Sequence, residues 1–282
     1  MPLSYADFSY VRDMVLRRSA NVLEDAKAYL VDMRLDNLAR EEGMLDASEI
    51  VAKSRIDTRL QVKITEAMTT NETSWFRDSS PFIALKDVVI PEVIKQRANT
   101  RQLFIWCAAS STGQEPFGIA MTLREHFPEV CDQWRVRIMA TDLSGPVLER
   151  ARKGVYRTFE VERGLPKPLL NRYFDAHGQD FSVKPILRKM VDFKELNLIE
   201  PFPAMPTPDI VFIRNVLIYF STNVKRDILS RVHKVLSPTG YLFMGGAETT
   251  LGVHGGYSRH AGAGTAFYRP IAGAADAAVT AF

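Results

Sequence analysis

Residues 103–118, Leu-Phe-Ile-Trp-Cys-Ala-Ala-Ser-Ser-Thr-Gly-Gln-Glu-Pro-Phe-Gly, constrain the fold of this chain more than any other stretch. Leu103 to Trp106 are apolar, β-prone and uncharged, the pattern of a strand buried on both faces in a parallel sheet. The run then turns small through Cys107, Ala108, Ala109, Ser110, Ser111, Thr112 and Gly113, side chains that let backbone come close to a ligand. Glu115 and Pro116 open a helix, with Phe117, Ile119, Ala120, Met121 and Leu123 on its buried face. Strand, tight small-residue turn and helix together make the nucleotide-binding corner of a doubly wound α/β fold.

The turn is not the dinucleotide fingerprint. G-x-G-x-x-G is absent, and Gly113 stands nearly alone. A pyrophosphate needs glycines and free amides at the helix N-terminus, where Glu115 would repel it. The same glutamate is also an ordinary partner for the helix dipole. A second segment decides more. Arg135-Val-Arg-Ile-Met-Ala-Thr-Asp142 reads as a strand ending in an acid, followed by a helix through Val147, Leu148 and Ala151. In such sheets that acid takes ribose hydroxyls. An isolated Asp more simply caps the next helix, but beside the first turn at this spacing ribose binding is the better reading.

The chain has 282 residues, 46% hydrophobic and 24% charged, enough for a large domain plus a small one. A net charge of +3, with scattered basic residues, gives no footing for nucleic acid. Cys107 and Cys131 read as free thiols of a reducing compartment. The 5 histidines show no metal-ligand spacing, so no metal site is expected. No signal peptide and no bilayer-spanning run is evident, which points to a cytoplasmic protein without membrane insertion.

Residues 1–70 read as helices throughout and form a small N-terminal domain. One amphipathic stretch carries Phe8, Val11, Met14, Val15 and Leu16; another carries Leu30, Met33, Leu35 and Leu38; a third carries Leu60, Ile64 and Met68. Gly43 closes the second helix and Asp46-Ala-Ser-Glu49 opens a short one. In Asn71-Glu-Thr73-Ser-Trp75-Phe76-Arg77, Asn71 or Thr73 taken alone is a helix N-cap before two core aromatics. Residues 81–95 read as a helix. Residues 154–189 interrupt the α/β alternation as a small inserted subdomain, with Phe181-Ser-Val-Lys-Pro and Ile186-Leu-Arg-Lys-Met alternating like short strands. Asp209 to Ile213 is the fourth candidate strand and emerges at Asn215. That puts Asn215 and Tyr219 on the rim where open α/β sheets bind ligands, although Tyr219 and Phe220 also read as packing aromatics. A helix from Asn223 to Leu236 follows. Residues 240–245 and 265–269 form a terminal strand pair, and Gly245-Gly-Ala-Glu248 adds a small-residue rim. Residues 271–282 read as a flexible tail.

Five segments in this order resemble the chemotaxis receptor methyltransferases, the CheR family: Asn71-x-Thr73-x-x-Phe76-Arg77, Ser111-Thr-Gly-x-Glu115-Pro, Ala140-Thr-Asp142, Phe193-x-x-x-Asn197-Leu198 and Arg214-Asn215-Val-x-Ile-Tyr219-Phe220. The resemblance covers about residues 5–270. It implies a Rossmann-like class I S-adenosylmethionine methyltransferase domain over residues 71–270, with an antiparallel β-subdomain inserted at 154–189. The implied reaction is methyl esterification of glutamate side chains on chemoreceptor cytoplasmic helices, serving sensory adaptation, with S-adenosylhomocysteine as the product. Carried over residue by residue, Asn71, Thr73 and Arg77 lie in the cofactor site. Glu115 faces the methionine end, Asp142 the ribose, and Asn197 with Leu198 the adenine. Asn215 and Val216 complete the pocket, and Arg77 and Tyr219 flank the transferring methyl. Asp32, Asp36, Glu41 and Glu42 make the second helix less basic than in better-known members. The short Asp175-Ala-His-Gly-Gln-Asp180 segment implies docking independent of a receptor C-terminal pentapeptide, and the family implies a monomer. A non-catalytic receptor adaptor and an NAD-dependent oxidoreductase are the competing readings. Intact Arg77, Glu115, Asp142 and Tyr219 weigh against the first, and the missing glycine fingerprint against the second.

Overall fold

The computed structural model describes residues 3–262 and 264–274. The expected flexible tail lies outside the described residues from 275 onward. The chain divides into two compact units: residues up to Thr70 together with Tyr219–Val224, and Asn71–Ile218 together with the chain from Lys225.

The smaller unit contains α1 (Tyr5–Ser19), α2 (Ala28–Glu41), α3 (Ala47–Ser54) and α4 (Thr58–Ala67). Ser4, Asp46 and Asp57 cap α1, α3 and α4, each side chain accepting a backbone N–H of the first turn. Gly43, at φ +70°, follows α2 as the sequence requires. Phe8, Val11, Met14, Val15, Ile50, Leu60, Ile64 and Met68 pack into one core. Three expected core residues do not join it: Leu30 is only half-buried, Leu16 is 45% exposed and Met33 is 52% exposed. In α2 the buried residues are Val31, Leu35, Leu38 and Ala39, at i, i+4, i+7 and i+8, which is the true 3.6-residue stripe.

The larger unit opens with an extended segment, residues 71–74, not with a capped helix. Ser111 Oγ donates to the Asn71 carbonyl (2.8 Å), and the Trp75 N–H donates to the Arg163 carbonyl (3.1 Å). These bonds fix the backbone as extended, so neither Asn71 nor Thr73 is an N-cap. The helix starts later, at Ser80–Ala84, and continues through a π-helical turn, Leu85–Val89, into Ile90–Arg97.

Ten strands follow: β1 (Gln102–Ala108), β2 (Arg135–Asp142), β3 (Val155–Arg157), β4 (Phe174–His177), β5 (Asp180–Val183), β6 (Val191–Glu195), β7 (Ile210–Ile213), β8 (Tyr241–Met244), β9 (Tyr257–Gly262) and β10 (Thr265–Pro270). Seven of them form the main sheet in the order β6-β2-β1-β7-β8-β10-β9. β6, β2, β1, β7 and β8 are parallel, while β10 is antiparallel to both its neighbours. A parallel sheet with one antiparallel strand set between its last two is the arrangement expected from the sequence resemblance. β1, β7 and β8 are buried almost throughout, which explains their uninterrupted apolar runs. The strand order reverses between β1 and β7, and the crevice at such a switch point is where these sheets bind ligands.

The inserted segment forms a three-stranded antiparallel sheet, β3-β5-β4. Trp75 packs edge-on against Tyr156 and Phe174 at ring-centroid distances of 4.9 and 5.4 Å. Only the first of the two expected strands here is present. Pro185–Arg188 is a helical turn, because Pro185 at its start fixes φ near the helical value and lacks the N–H a ladder needs. β9 was not expected: its residues Ser258, Arg259, His260 and Ala261 show no apolar alternation, as befits an edge strand. Among the described residues no helix is long and apolar enough to cross a membrane.

Candidate active site

The candidate site is built at the carboxyl ends of β1, β2, β6, β7 and β8. The loop leaving β1 holds three left-handed residues within five positions: Ala109 (φ +56°), Ser111 (φ +49°) and Gly113 (φ +95°). Such backbone persists only where its surroundings over-determine it. The Ser110 N–H donates to the Thr141 carbonyl (2.9 Å), and Tyr156 Oη donates to the Thr112 carbonyl (2.6 Å). A Cβ at Gly113 would lie 3.1 Å from both Ala151 Cβ and Tyr156 Oη. This glycine therefore serves packing.

Asp142 ends β2 and is 7% exposed. Its Oδ2 accepts the Ser111 N–H (2.8 Å) and its Oδ1 the Ser144 N–H (3.1 Å). Burial pushes the Asp142 carboxyl up from its ordinary pKa, opposed by the Ser144, Ser111 and Leu143 amides. The N-cap position of the next helix, α6 (Gly145–Lys153), belongs to Ser144. Asp142 thus ties the first loop to the second. The Leu196 N–H donates to the Asp142 carbonyl (2.9 Å), which brings the exit of β6 alongside. There Leu198 is buried, and Asn197 accepts the Ile199 N–H (3.3 Å) and donates to Glu200 (3.3 Å).

Glu115 sits in the first turn of the helix after β1, α5 (Gln114–His126). Its Oε2 pairs with Arg214 Nη1 at 2.7 Å. Arg214 follows β7, and its side chain is 2% exposed. Arg214 Nη2 donates to Asp78 Oδ2 (2.8 Å) and to the Arg77 carbonyl (3.0 Å), while its Nε is buried without a partner. Burial pushes the Glu115 carboxyl up, Arg214 opposes this, and the charges of Glu248 and Arg77 are felt as well. The segment that Arg214 grips is itself unusual, with left-handed Phe76 (φ +48°) and Asp78 (φ +62°) on either side of Arg77. Arg77 Nη1 donates to the Glu72 carbonyl (3.3 Å).

Asn215 is left-handed (φ +59°). Its N–H and that of Val216 donate to the Glu248 carboxylate (2.8 and 3.0 Å). Asn71 and Thr73 line a cavity of about 360 Å³ with Thr112, Gln114, Val147 and Arg163. Tyr219 closes the 3₁₀ turn Leu217–Tyr219 and falls with the smaller unit. The structure therefore gathers Asn71, Arg77, Glu115, Asp142 and Asn215 around the first loop, with Asn197 and Leu198 at the exit of β6. Asp78 was not named from the sequence, and Arg214 and Glu248 stood there only as members of quoted segments, with no role assigned. The available signal for Arg214 was a lone cation directly after the all-apolar run 210–213.

Over residues 71–262 the chain matches the family "CheR methyltransferase, SAM binding domain". It is 45% identical over 254 residues to chemotaxis protein methyltransferase 1 of Pseudomonas aeruginosa, covering 88% of this chain and 92% of that protein. It is 42% identical over 252 residues to chemotaxis protein methyltransferase Cher2 of Pseudomonas putida, covering 88% and 91%. With the chemotaxis protein methyltransferase of Escherichia coli it shares 34% identity over 256 residues, covering 88% and 86%. The chain belongs to the CheR methyltransferase family. It is an S-adenosylmethionine-dependent chemotaxis protein methyltransferase. The residues of this CheR site fit that cofactor. The Ser111 and Ser144 amides, which a phosphate-bearing ligand would need, are taken up by Asp142. S-adenosylmethionine carries no phosphate. It does carry a carboxylate, for which the unpartnered Arg214 Nε is a ready donor.

Proposed function

We propose that this CheR transfers a methyl group from S-adenosylmethionine to glutamate side chains on the cytoplasmic helices of chemoreceptors. The observation that carries the reading is the buried Arg214, which pairs with Glu115 on one side and with the exposed Asp78 and the Arg77 carbonyl on the other and so fixes the Arg77 turn at the topological switch point. When bound, S-adenosylmethionine supplies an electrophilic methyl on a sulfonium, and its transfer to a carboxylate oxygen forms an ester and leaves neutral S-adenosylhomocysteine. A glutamate carboxylate is already ionised at neutral pH, so the protein has no proton to remove. Its task is alignment, for which effective molarities are worth roughly 7–11 kcal/mol.

In this reading Asn71, Thr73, Asn215 and Val216 line the cofactor pocket. Glu115 receives the methionine ammonium through Oε1, Asp142 takes the ribose, and Asn197 with Leu198 bounds the adenine. Arg77 anchors the substrate carboxylate, whose geometry a guanidinium matches. Tyr219 shapes the other side of the methyl path. Residues 1–70 form the helical domain, residues 71–270 the catalytic domain and residues 154–189 its insertion. The tight β4–β5 turn through Gly178 (φ +64°) favours docking independent of a receptor pentapeptide. The protein acts as a cytoplasmic monomer on its receptor partners.

The test is transfer of labelled methyl from S-adenosylmethionine to receptor cytoplasmic fragments. We expect a base-labile label that disappears when the receptor glutamates become alanine. Arg77→Ala and Tyr219→Phe should lose at least ten-fold in turnover while still binding S-adenosylhomocysteine. A base-stable label would sink carboxylate methylation, and normal turnover in both variants would sink the roles of Arg77 and Tyr219.

A further inference from the structure

β8 ends at Met244, and the chain turns through Gly245 and Gly246 to Glu248, whose N–H donates to the Gly245 carbonyl (2.9 Å). The Glu248 carboxylate reaches back between the carboxyl ends of β7 and β8, and both oxygens are used twice. Oε2 accepts the backbone N–H of Asn215 (2.8 Å) and of Gly245 (2.7 Å). Oε1 accepts the N–H of Val216 (3.0 Å) and of Ile218 (3.3 Å). The residue is only 9% exposed, and the nearby Arg214 is committed to Glu115 and Asp78. Asn215, the first residue held, is left-handed. A Cβ on Gly245 would lie 2.7 Å from Asn215 Nδ2 and 2.7 Å from Glu248 Oε2. The Asn215 carboxamide and the Glu248 carboxylate therefore both pack against Gly245, where there is no room for a side chain.

We infer that Glu248 is a positioning residue for the cofactor site. It holds the Asn215–Ile218 backbone, and with it the Asn215 carboxamide, in the cofactor-binding geometry. The inference rests on the reading of Asn215 as a cofactor contact. Four N–H groups need four lone pairs, and an ionised carboxylate supplies them from one side chain. Glutamine cannot substitute. Whichever way its amide is turned, its NH₂ faces two of the four N–H donors, and two hydrogen bonds are lost. Aspartate is one methylene too short to reach both strand ends.

The experiment measures S-adenosylhomocysteine affinity by titration calorimetry on the full-length protein, at a temperature well below each variant's measured Tm. We expect Glu248→Gln and Asn215→Ala each to raise Kd at least ten-fold in protein that remains folded. The double variant should fall short of the sum of the two single effects, because both act in part through Asn215. Gly245→Ala, whose Cβ would press on both Asn215 Nδ2 and Glu248 Oε2, should raise Kd in the same way and serves if Glu248→Gln does not fold. A Glu248→Gln protein that melts earlier yet binds with the original Kd would overturn the inference, as would fully additive effects. Unchanged affinity in Asn215→Ala would instead overturn the reading of Asn215, and any weakening by Glu248→Gln would then act by another route.

Discussion

Arg214 leaves an apolar strand with its guanidinium all but sealed from solvent and divides its bonds among Glu115, Asp78 and the Arg77 carbonyl. Replacing it by Met leaves the Glu115 carboxylate buried without its partner, a change that costs about 3–5 kcal/mol. Urea denaturation would read this directly. The pH dependence follows from the sign of the Glu115 shift. A carboxyl raised in the folded state binds a proton more tightly there than in the unfolded chain, so stability falls as pH rises through that window. Removing Arg214, which opposes the rise, extends the window upward. Arg214→Met should therefore lose Tm from acid towards neutral pH more steeply than the parent protein. Gly164 (φ +96°) makes a second prediction, because a Cβ there would stand 2.3 Å from the Trp75 carbonyl oxygen. Gly164→Ala should cost at least about 1–3 kcal/mol, read as a lowered Tm. Residues such as Asp142 and Asn215 were legible because they end periodic apolar strands. Arg214 and Glu248 were not, because the partners that define their roles lie 99 and 33 residues away in sequence.

At the scale of elements, legibility followed burial. β1 and β7 stand out as apolar runs because the sheet interior leaves them almost no polar face. β9 carries no such mark, since an edge strand answers mostly to solvent. Residues 186–190 alternate like a strand, yet the preceding proline turned them into a helical turn. In α2 Leu35 and Leu38 lie on the buried stripe as expected, while Leu30 and Met33 fall off it and Val31 and Ala39 take their place, a difference that only the packed neighbours resolve. Between helices, Glu42 at the end of α2 pairs with Lys63 and Arg59 of α4. The Lys63 hydrogen bond, followed by that of Arg59, holds its carboxyl below the usual range against a burial effect that raises it. A lowered folded-state pKa gives stability that is present above the unfolded value and lost as pH falls through the folded one. The Tm gap between the parent and Glu42→Gln should be full at neutral pH and close in acid, as thermal melts would record.

At the scale of the whole molecule, residues 71–262 match a SAM-binding domain, which makes the larger unit the one that binds cofactor. S-adenosylhomocysteine at one hundred times its Kd should add about 2.7 kcal/mol to that unit. For a unit of this size, calorimetry should show its transition rising by about 5–10 °C. If the two units melt separately, the transition of the helical unit should stay where it was.

The smaller unit is not one continuous stretch of chain: Tyr219–Val224 belongs to it although Thr70 closes its first segment. A ribosome releases the chain from one end, so the helices are made first and their last piece arrives 149 residues later, counting from 70 to 219. At about 5–20 residues per second this is a wait of roughly 7–30 s. During that interval the nascent helical bundle lacks a part of itself, and the segment that completes it carries Tyr219. The birth of the protein thus has a built-in order, in which the helices of the small unit emerge before the larger unit and are completed only after most of it has been made.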